Sequence, residues 1–237
     1  MVYLFAVHPV QATALSLFIV GLTSAVGAVN YFKQNWVDIK TTIVFGIPSI
    51  IAVYLTRKWI VPFIPDKILE IGGFELTKSL FLMLLFAVLM ILASYSMIKP
   101  AKKNNQNTSN KELSSALKNF LPFLEGSVVG VLTGLVGAGG GFLIIPALVV
   151  VAGLEMKVAI GSSLVIIALK SLLGFLGEDL RSVPWAFLSV ISGFSILGIF
   201  MGTYLSKKID GNKLKPAFGY FVLMMGIFII VKEVFFK

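Results

Sequence analysis

The chain has 237 residues, 57% of them hydrophobic and 13% charged, with 20 Lys and Arg against 11 Asp and Glu and no cysteine. A soluble domain has about a quarter of its residues charged, so this chain has too little polar surface to wet a globule, and its surplus apolar surface calls for lipid. The formal charge of +9 sits in gaps between apolar runs, not on a stripe interleaved with aromatics, which argues against nucleic acid as a partner, and the lack of thiols excludes a thiol–disulfide carrier.

The first residues, Met1 to His8, show neither a basic n-region nor a small-residue cleavage site, so no signal peptide is expected. A span needs about 20 apolar residues to cross roughly 30 Å of hydrocarbon. Seven segments then follow in order: about 9–32, 40–56, 76–98, 119–152, 158–177, 184–206 and 214–235. Basic connections separate them. Arg57, Lys58, Lys67 and Lys78 follow the second segment; Lys99, Lys102, Lys103, Lys111 and Lys118 follow the third; Lys207, Lys208, Lys213 and Lys215 follow the sixth. The expected class is an all-α polytopic protein, multi-pass in the cell membrane, with the lipid bilayer as its surroundings. The polar run Asn104 to Asn110 reads as a solvated linker. It divides the chain into a first repeat over 1–98, a linker over 99–118 and a second repeat over 119–237.

The halves are called repeats because they are related. A shift of 147 residues places Ala12 on Ala159, Ser16 on Ser163, Leu17 on Leu164, Ile19 on Ile166, Leu22 on Leu169, Ser24 on Ser171 and Gly27 on Gly174. Gly46 then meets Gly193, and Tyr54 to Lys58 meets Tyr204 to Lys208 after a slip of three residues. Duplication explains these identities better than shared apolar bias. Many secondary transporters are built this way and hold substrate between the repeats near the midplane.

The fourth segment has no counterpart in the first half. As one helix it would run about 50 Å at 1.5 Å per residue, so it must tilt steeply or break. Gly137, Gly139, Gly140, Gly141 and Pro146 mark the break. Lys and Arg divide almost evenly between the two faces of the membrane if every segment crosses, and unevenly if this one turns back. A glycine-broken or re-entrant element is therefore expected, and with it inverted repeats.

Two readings compete for the glycines. Gly126, Gly130 and Gly134 stand four apart, the spacing that lets membrane helices approach closely. Three consecutive glycines, Gly139 to Gly141, go beyond packing needs: they free main-chain amides that must face protein or a water-filled cavity, and a half-helix starting there would favour an anion. The run lacks Gly-Lys-Ser/Thr, so it is no P-loop, and Phe142 stands where a dinucleotide fingerprint needs its last glycine.

Lys170 lies inside the fifth segment, whereas Glu125, Glu178 and Asp179 lie near segment ends. A cation at that depth is either functional or a lysine snorkelled or packed between helices. Ser162 and Ser163, with Ser16 and Thr13 as first-repeat counterparts, supply hydroxyls. Such groups commonly bond back to their own helix, yet the equivalence of Ser16 and Ser163 favours a shared cavity, and Ser24 and Ser171 follow the same pattern. An intramembrane serine protease at Gly161-Ser162-Ser163 needs a general base, and the only histidine, His8, stands before the first span with no carboxylate near it in sequence. No metal, cofactor or enzymatic activity is expected.

At these residues the chain resembles the TauE/SafE family of membrane permeases, also described as sulfite-export or toxin-sulfite-uptake proteins. The resemblance is carried by Gly130-Val131-Leu132-Thr133-Gly134-Leu135-Val136-Gly137-Ala138-Gly139-Gly140-Gly141-Phe142-Leu143-Ile144-Ile145-Pro146, by Ala159-Ile160-Gly161-Ser162-Ser163-Leu164, by Gly198 to Thr203 and by Ala12 to Leu17, so it covers nearly the whole chain. Members of the family carry a glycine-rich segment at the start of each repeat. Here only the second repeat has one, and Met1-Val2-Tyr3-Leu4 stand where the first would end, so the first repeat is expected to be N-terminally incomplete.

The resemblance implies transport of anions, with sulfite, thiosulfate and organosulfonates as the associated substrates. The combined reading is a secondary transporter exporting a small sulfur-containing anion. Its expected substrate-binding residues are Gly137, Gly139, Gly140, Gly141, Ser162, Ser163, Lys170, Ser16 and Thr13. There is room for a coupling ion, proton or sodium, and for a homo-oligomer. The alternative is a membrane scaffold or assembly subunit whose glycines serve packing alone, or an anion channel.

Overall fold

The computed structural model describes residues 9–65, 67–71, 74–99, 115–136, 141–150, 152–176 and 184–235. His8, linker residues 100–114 and Gly137, Gly139 and Gly140 lie outside the described residues, as does the side chain of Thr13. Among the described residues eight helices carry the fold: α1 Pro9–Phe32, α2 Ile39–Leu55, α3 Lys78–Ile98, α4 Ser115–Val136, α5 Gly141–Val150, α6 Met156–Leu176, α7 Trp185–Lys208 and α8 Gly211–Phe235. Helix is the form a single apolar segment must take in lipid, because it satisfies every interior N–H and C=O within the segment.

Among the described residues six stretches are long and apolar enough to span: Leu15–Phe32, Ile39–Phe63, Leu80–Ile98, Met156–Leu176, Trp185–Lys208 and Gly211–Glu233. The protein is a multi-pass, helical membrane protein. In the fourth segment the structure describes two helices, α4 up to Val136 and α5 from Gly141, with residues 137–140 outside the described residues. At ten residues, α5 is about 15 Å long, half the hydrocarbon thickness.

The second span is longer than the apolar run suggests. Beyond α2 it continues through a wide turn, Thr56–Ile60, into a last turn, Val61–Phe63, with the Val61 amide donating five residues back to Thr56 O. The wide turn makes room ahead of Pro62, whose ring would otherwise crowd a carbonyl of the preceding turn. A short antiparallel ribbon follows, β1 Lys67–Ile71 and β2 Phe74–Thr77, with Ile71 opposite Phe74 and Leu69 opposite Leu76. It corrects the expected start of the third segment: residues 76 and 77 belong to β2, and α3 begins at Lys78 with Thr77 as its cap.

The chain forms two compact units, and each draws on both sides of the linker. The first comprises residues 1–42 and 157–210, the second residues 43–156 and 211–237. In the first, α1 packs along α7 through Leu15, Ile19 and Leu188, with Phe18, Phe187 and Ile191 around them. In the second, Phe86 and Met90 of α3, Leu143 of α5 and Val222 of α8 form the core, and Val129 and Leu132 of α4 pack against it. Gly226 of α8 sits so close to α3 that a Cβ there would lie 3.2 Å from the Ala87 carbonyl oxygen.

Candidate functional site

In the first unit α1 and α6 run antiparallel. Leu17 lies against Gly174, Gly21 against Leu172 and Gly27 against Leu164, and the rings of Phe18 and Phe175 are 5.0 Å apart. The 147-residue shift carries Leu17 to Leu164 and Gly27 to Gly174, so the Gly174–Leu17 contact is the image of the Gly27–Leu164 contact. Self-complementary pairing of this kind belongs to a two-fold axis, and it centres the crossing near Leu22 and Leu169.

The residues next to that centre are polar: Thr23 and Ser24 on α1, Lys170 and Ser171 on α6. Ser24 and Ser171 are buried, and the hydroxyls of Thr23 and Ser171 have no hydrogen-bond partner. Lys170 is half-buried and has a noncovalent partner. It stands six residues before the end of α6, a depth of about 9 Å that a lysine stem shortens.

The serines expected to line a cavity have other neighbours. Helix α1 ends in a Schellman motif: Asn35 adopts φ 57°, its amide donates to Phe32 O, and the Trp36 amide donates to Tyr31 O. The Tyr31 and Trp36 rings complete the motif at 5.7 Å. Asp38 then caps α2, with Oδ1 accepting from Thr41 N at 2.9 Å. Ser162 Oγ accepts the Asp38 amide at 3.0 Å, and Lys157 Nζ sits 4.7 Å from the centre of the Trp36 ring. Gly161 leaves no room for a Cβ against the Trp36 carbonyl. This end of α6 therefore grips the α1–α2 loop. Ser163 donates to Ile160 O at 2.8 Å, the back-bond common for a helical serine. Ser163 is buried and Ser16 exposed, so the two equivalent positions do not share a setting.

In the second unit Gly126, Gly130 and Gly134 of α4 lie against Phe45, Ser49 and Thr56, and a Cβ on Gly130 would stand 2.5 Å from the Ser49 carbonyl oxygen. These three glycines serve close packing, the simpler of their two readings. After α4 ends at Val136, α5 starts at Gly141. The first amides of α5 have no acceptor inside the helix and carry the positive end of its dipole.

One residue was passed over in sequence as lying near a segment end. Glu125 is inside α4, and both of its carboxylate oxygens are buried without a hydrogen-bond partner. The hydroxyls of Ser49, Thr56 and Thr133 in this unit are likewise buried and unpartnered. The signal available was a lone acid at helical spacing with Val129 and Thr133, but spacing does not say which face of a lipid-embedded helix looks inward. Among the described residues, no group of three or more His, Cys, Asp or Glu side chains is placed to hold a metal.

The chain is similar in sequence to known proteins. The chain is 24% identical over 238 residues to the probable membrane transporter protein YunE of Bacillus subtilis, covering 97% of this chain and 84% of that one. It is 27% identical over 232 residues to a probable membrane transporter protein of Methanocaldococcus jannaschii, covering 93% and 79%. A probable membrane transporter protein of Xylella fastidiosa is 31% identical over 108 residues, 45% of this chain and 41% of that one. No solved structure gives a significant match. The sequence matches the family described as sulfite exporter TauE/SafE over residues 1–229, and the chain belongs to that family.

Proposed function

We propose that the protein is a secondary transporter that exports a small sulfur-containing anion, sulfite or an organosulfonate. The class, a membrane transporter and not an enzyme, follows from the family and from relatives named as probable membrane transporters. The observation that carries the anion reading is that α5, a helix of ten residues, has its N-terminus at Gly141 inside the apolar fourth segment. A helix that starts in the middle of an apolar segment turns unsatisfied amides toward whatever enters, and a small oxyanion answers both their hydrogen bonding and their partial charge. The glycine run Gly137, Gly139, Gly140 and Gly141 is the proposed binding loop. Lys170, beside the unpartnered hydroxyls of Thr23 and Ser171, is a proposed cationic contact. Ser162, Ser163, Ser16 and Thr13 belong to the same proposal with less support, since the two buried serines already hold structural hydrogen bonds.

The antiparallel course of α1 and α6 supports inverted repeats. Three spans precede the broken segment, so α6 opposes α1 only if that segment enters and leaves on one face. Transporters with inverted repeats place substrate near the midplane, which favours a carrier over a scaffold. The test is uptake of sulfite, thiosulfate and methanesulfonate into proteoliposomes. Saturable uptake of one of them is expected. Uptake of none, with the protein inserted and folded, overturns the reading, and conduction at channel rates turns it to an anion channel.

A further inference from the structure

We propose that Glu125 is the proton-binding group of transport, alternating between carboxylate and carboxylic acid as the anion moves; this rests on the transporter reading above. Glu125 stands within the apolar stretch Pro122–Leu135 of α4. Both of its oxygens are buried and neither meets a donor. Glu125, Val129 and Thr133 share one face at intervals of four, and Val129 packs against the cluster of Phe86, Met90, Leu143 and Val222. The neighbouring face, Gly126, Gly130 and Gly134, is closed against α2. Among the described residues a full negative charge at such a place meets neither cation nor hydrogen bond to hold it, and in lipid-embedded protein a group of this kind marks a functional pathway.

The titratable groups of the surrounding elements do not answer it. On α2 they are Lys40 and Tyr54, and in the wide turn Lys58, which lies over the Tyr54 ring; the Arg57 side chain is outside the described residues. On α3 they are Lys78, which donates to Val61 O, and Tyr95, which lies under Lys99. Helix α5 has none, and α8 carries Lys213, Lys215, Tyr220, Lys232 and Glu233, toward its two ends apart from Tyr220. A structural glutamate would be served better by glutamine, which is neutral and of the same shape.

The chemistry of the site selects the ion. Sodium needs several oxygens in contact at once, and among the described residues no group of three or more His, Cys, Asp or Glu side chains gathers around Glu125. A proton needs one oxygen and closes the balance alone: carboxylate plus proton gives the acid, with no further reactant. The unpartnered hydroxyls provide polar stations for water beside α4 when the site opens.

Two measurements decide the matter. In wild-type proteoliposomes loaded with a pH dye, thiosulfate or methanesulfonate, which stay ionised near neutral pH, should carry protons with them. Glu125→Gln should keep exchange of the same anion but lose at least tenfold of the proton movement. Protons moving at the wild-type rate in Glu125→Gln, or wild-type uptake driven by sodium and indifferent to pH, overturn the assignment. Infrared difference spectra upon pH change, read without transport, should show a carboxylic-acid band in the wild type that Glu125→Gln lacks; identical spectra also overturn it. A wild type that moves no anion removes the transporter reading and the coupling role with it, whereas anion movement with a normal proton count in Glu125→Gln removes the role of Glu125 alone.

Discussion

The Asp38 amide has one acceptor, Ser162 Oγ, and Asp38 in turn caps α2 through Thr41. Ser162→Ala takes away that acceptor inside a buried loop contact, a loss of about 1 kcal/mol or somewhat more. A lowered midpoint of thermal unfolding in detergent is expected; full anion uptake in the fraction that stays folded would remove Ser162 from the proposed site and leave it the loop contact alone. Gly161→Ala should be more severe, because the added methyl meets the Trp36 carbonyl, a backbone atom that cannot rotate away; overpacking of this kind costs about 1–3 kcal/mol. Lys170→Met separates structure from function at the same scale. Methionine fills a similar volume without charge, so the folded protein should remain while anion uptake disappears; unchanged uptake removes Lys170 from the site.

Between helices, the glycine rows do different work according to what they meet. Gly130 of α4 lies against the backbone of Ser49, whereas Gly198 and Gly202 of α7 have nothing within 4 Å. Gly130→Leu should therefore drive α2 and α4 apart and prevent accumulation of folded protein, while Gly202→Leu should be near neutral, as size-exclusion profiles in detergent will show. Sequence made the spans legible because lipid imposes length and apolarity on every crossing segment, and the glycine run ends at Gly141, where α5 begins. The ribbon went unread although Gly72-Gly73 between Lys67–Ile71 and Phe74–Thr77 is a hairpin signal; its last two residues, Leu76 and Thr77, were absorbed into the following span. The wide turn at Thr56 and the inward face of Glu125 depend on which neighbour each helix meets, and apolar periodicity is weak in segments that are apolar all round.

At the scale of the molecule, the direction of each helix along its neighbours fixes the path of the chain through the membrane. Within the first unit α1 runs antiparallel to α6 and parallel to α7, since Leu15 and Ile19 pack on Leu188 while Tyr31 further along bonds Ser206 at 3.1 Å. Within the second, α2 and α4 run parallel through Phe45 with Gly126 and Thr56 with Gly134, and α3 opposes α8 through Met97 with Gly219 and Ala87 with Gly226. Inverted repeats predict that α1, α2 and α3 cross in turn, that the fourth segment enters and leaves on the face α3 reaches, and that α6 starts there. On that prediction Lys118 and Lys157 belong to the cytoplasmic face, where a basic excess is expected. Single cysteines can report it cleanly because the chain has none of its own. Lys118→Cys and Lys157→Cys should react with a membrane-impermeant maleimide only from the cytoplasmic face, and Lys58→Cys only from the outer one. Labelling of positions 118 and 157 from opposite faces would mean that the broken segment crosses, and the inverted arrangement on which a midplane anion site depends would go with it.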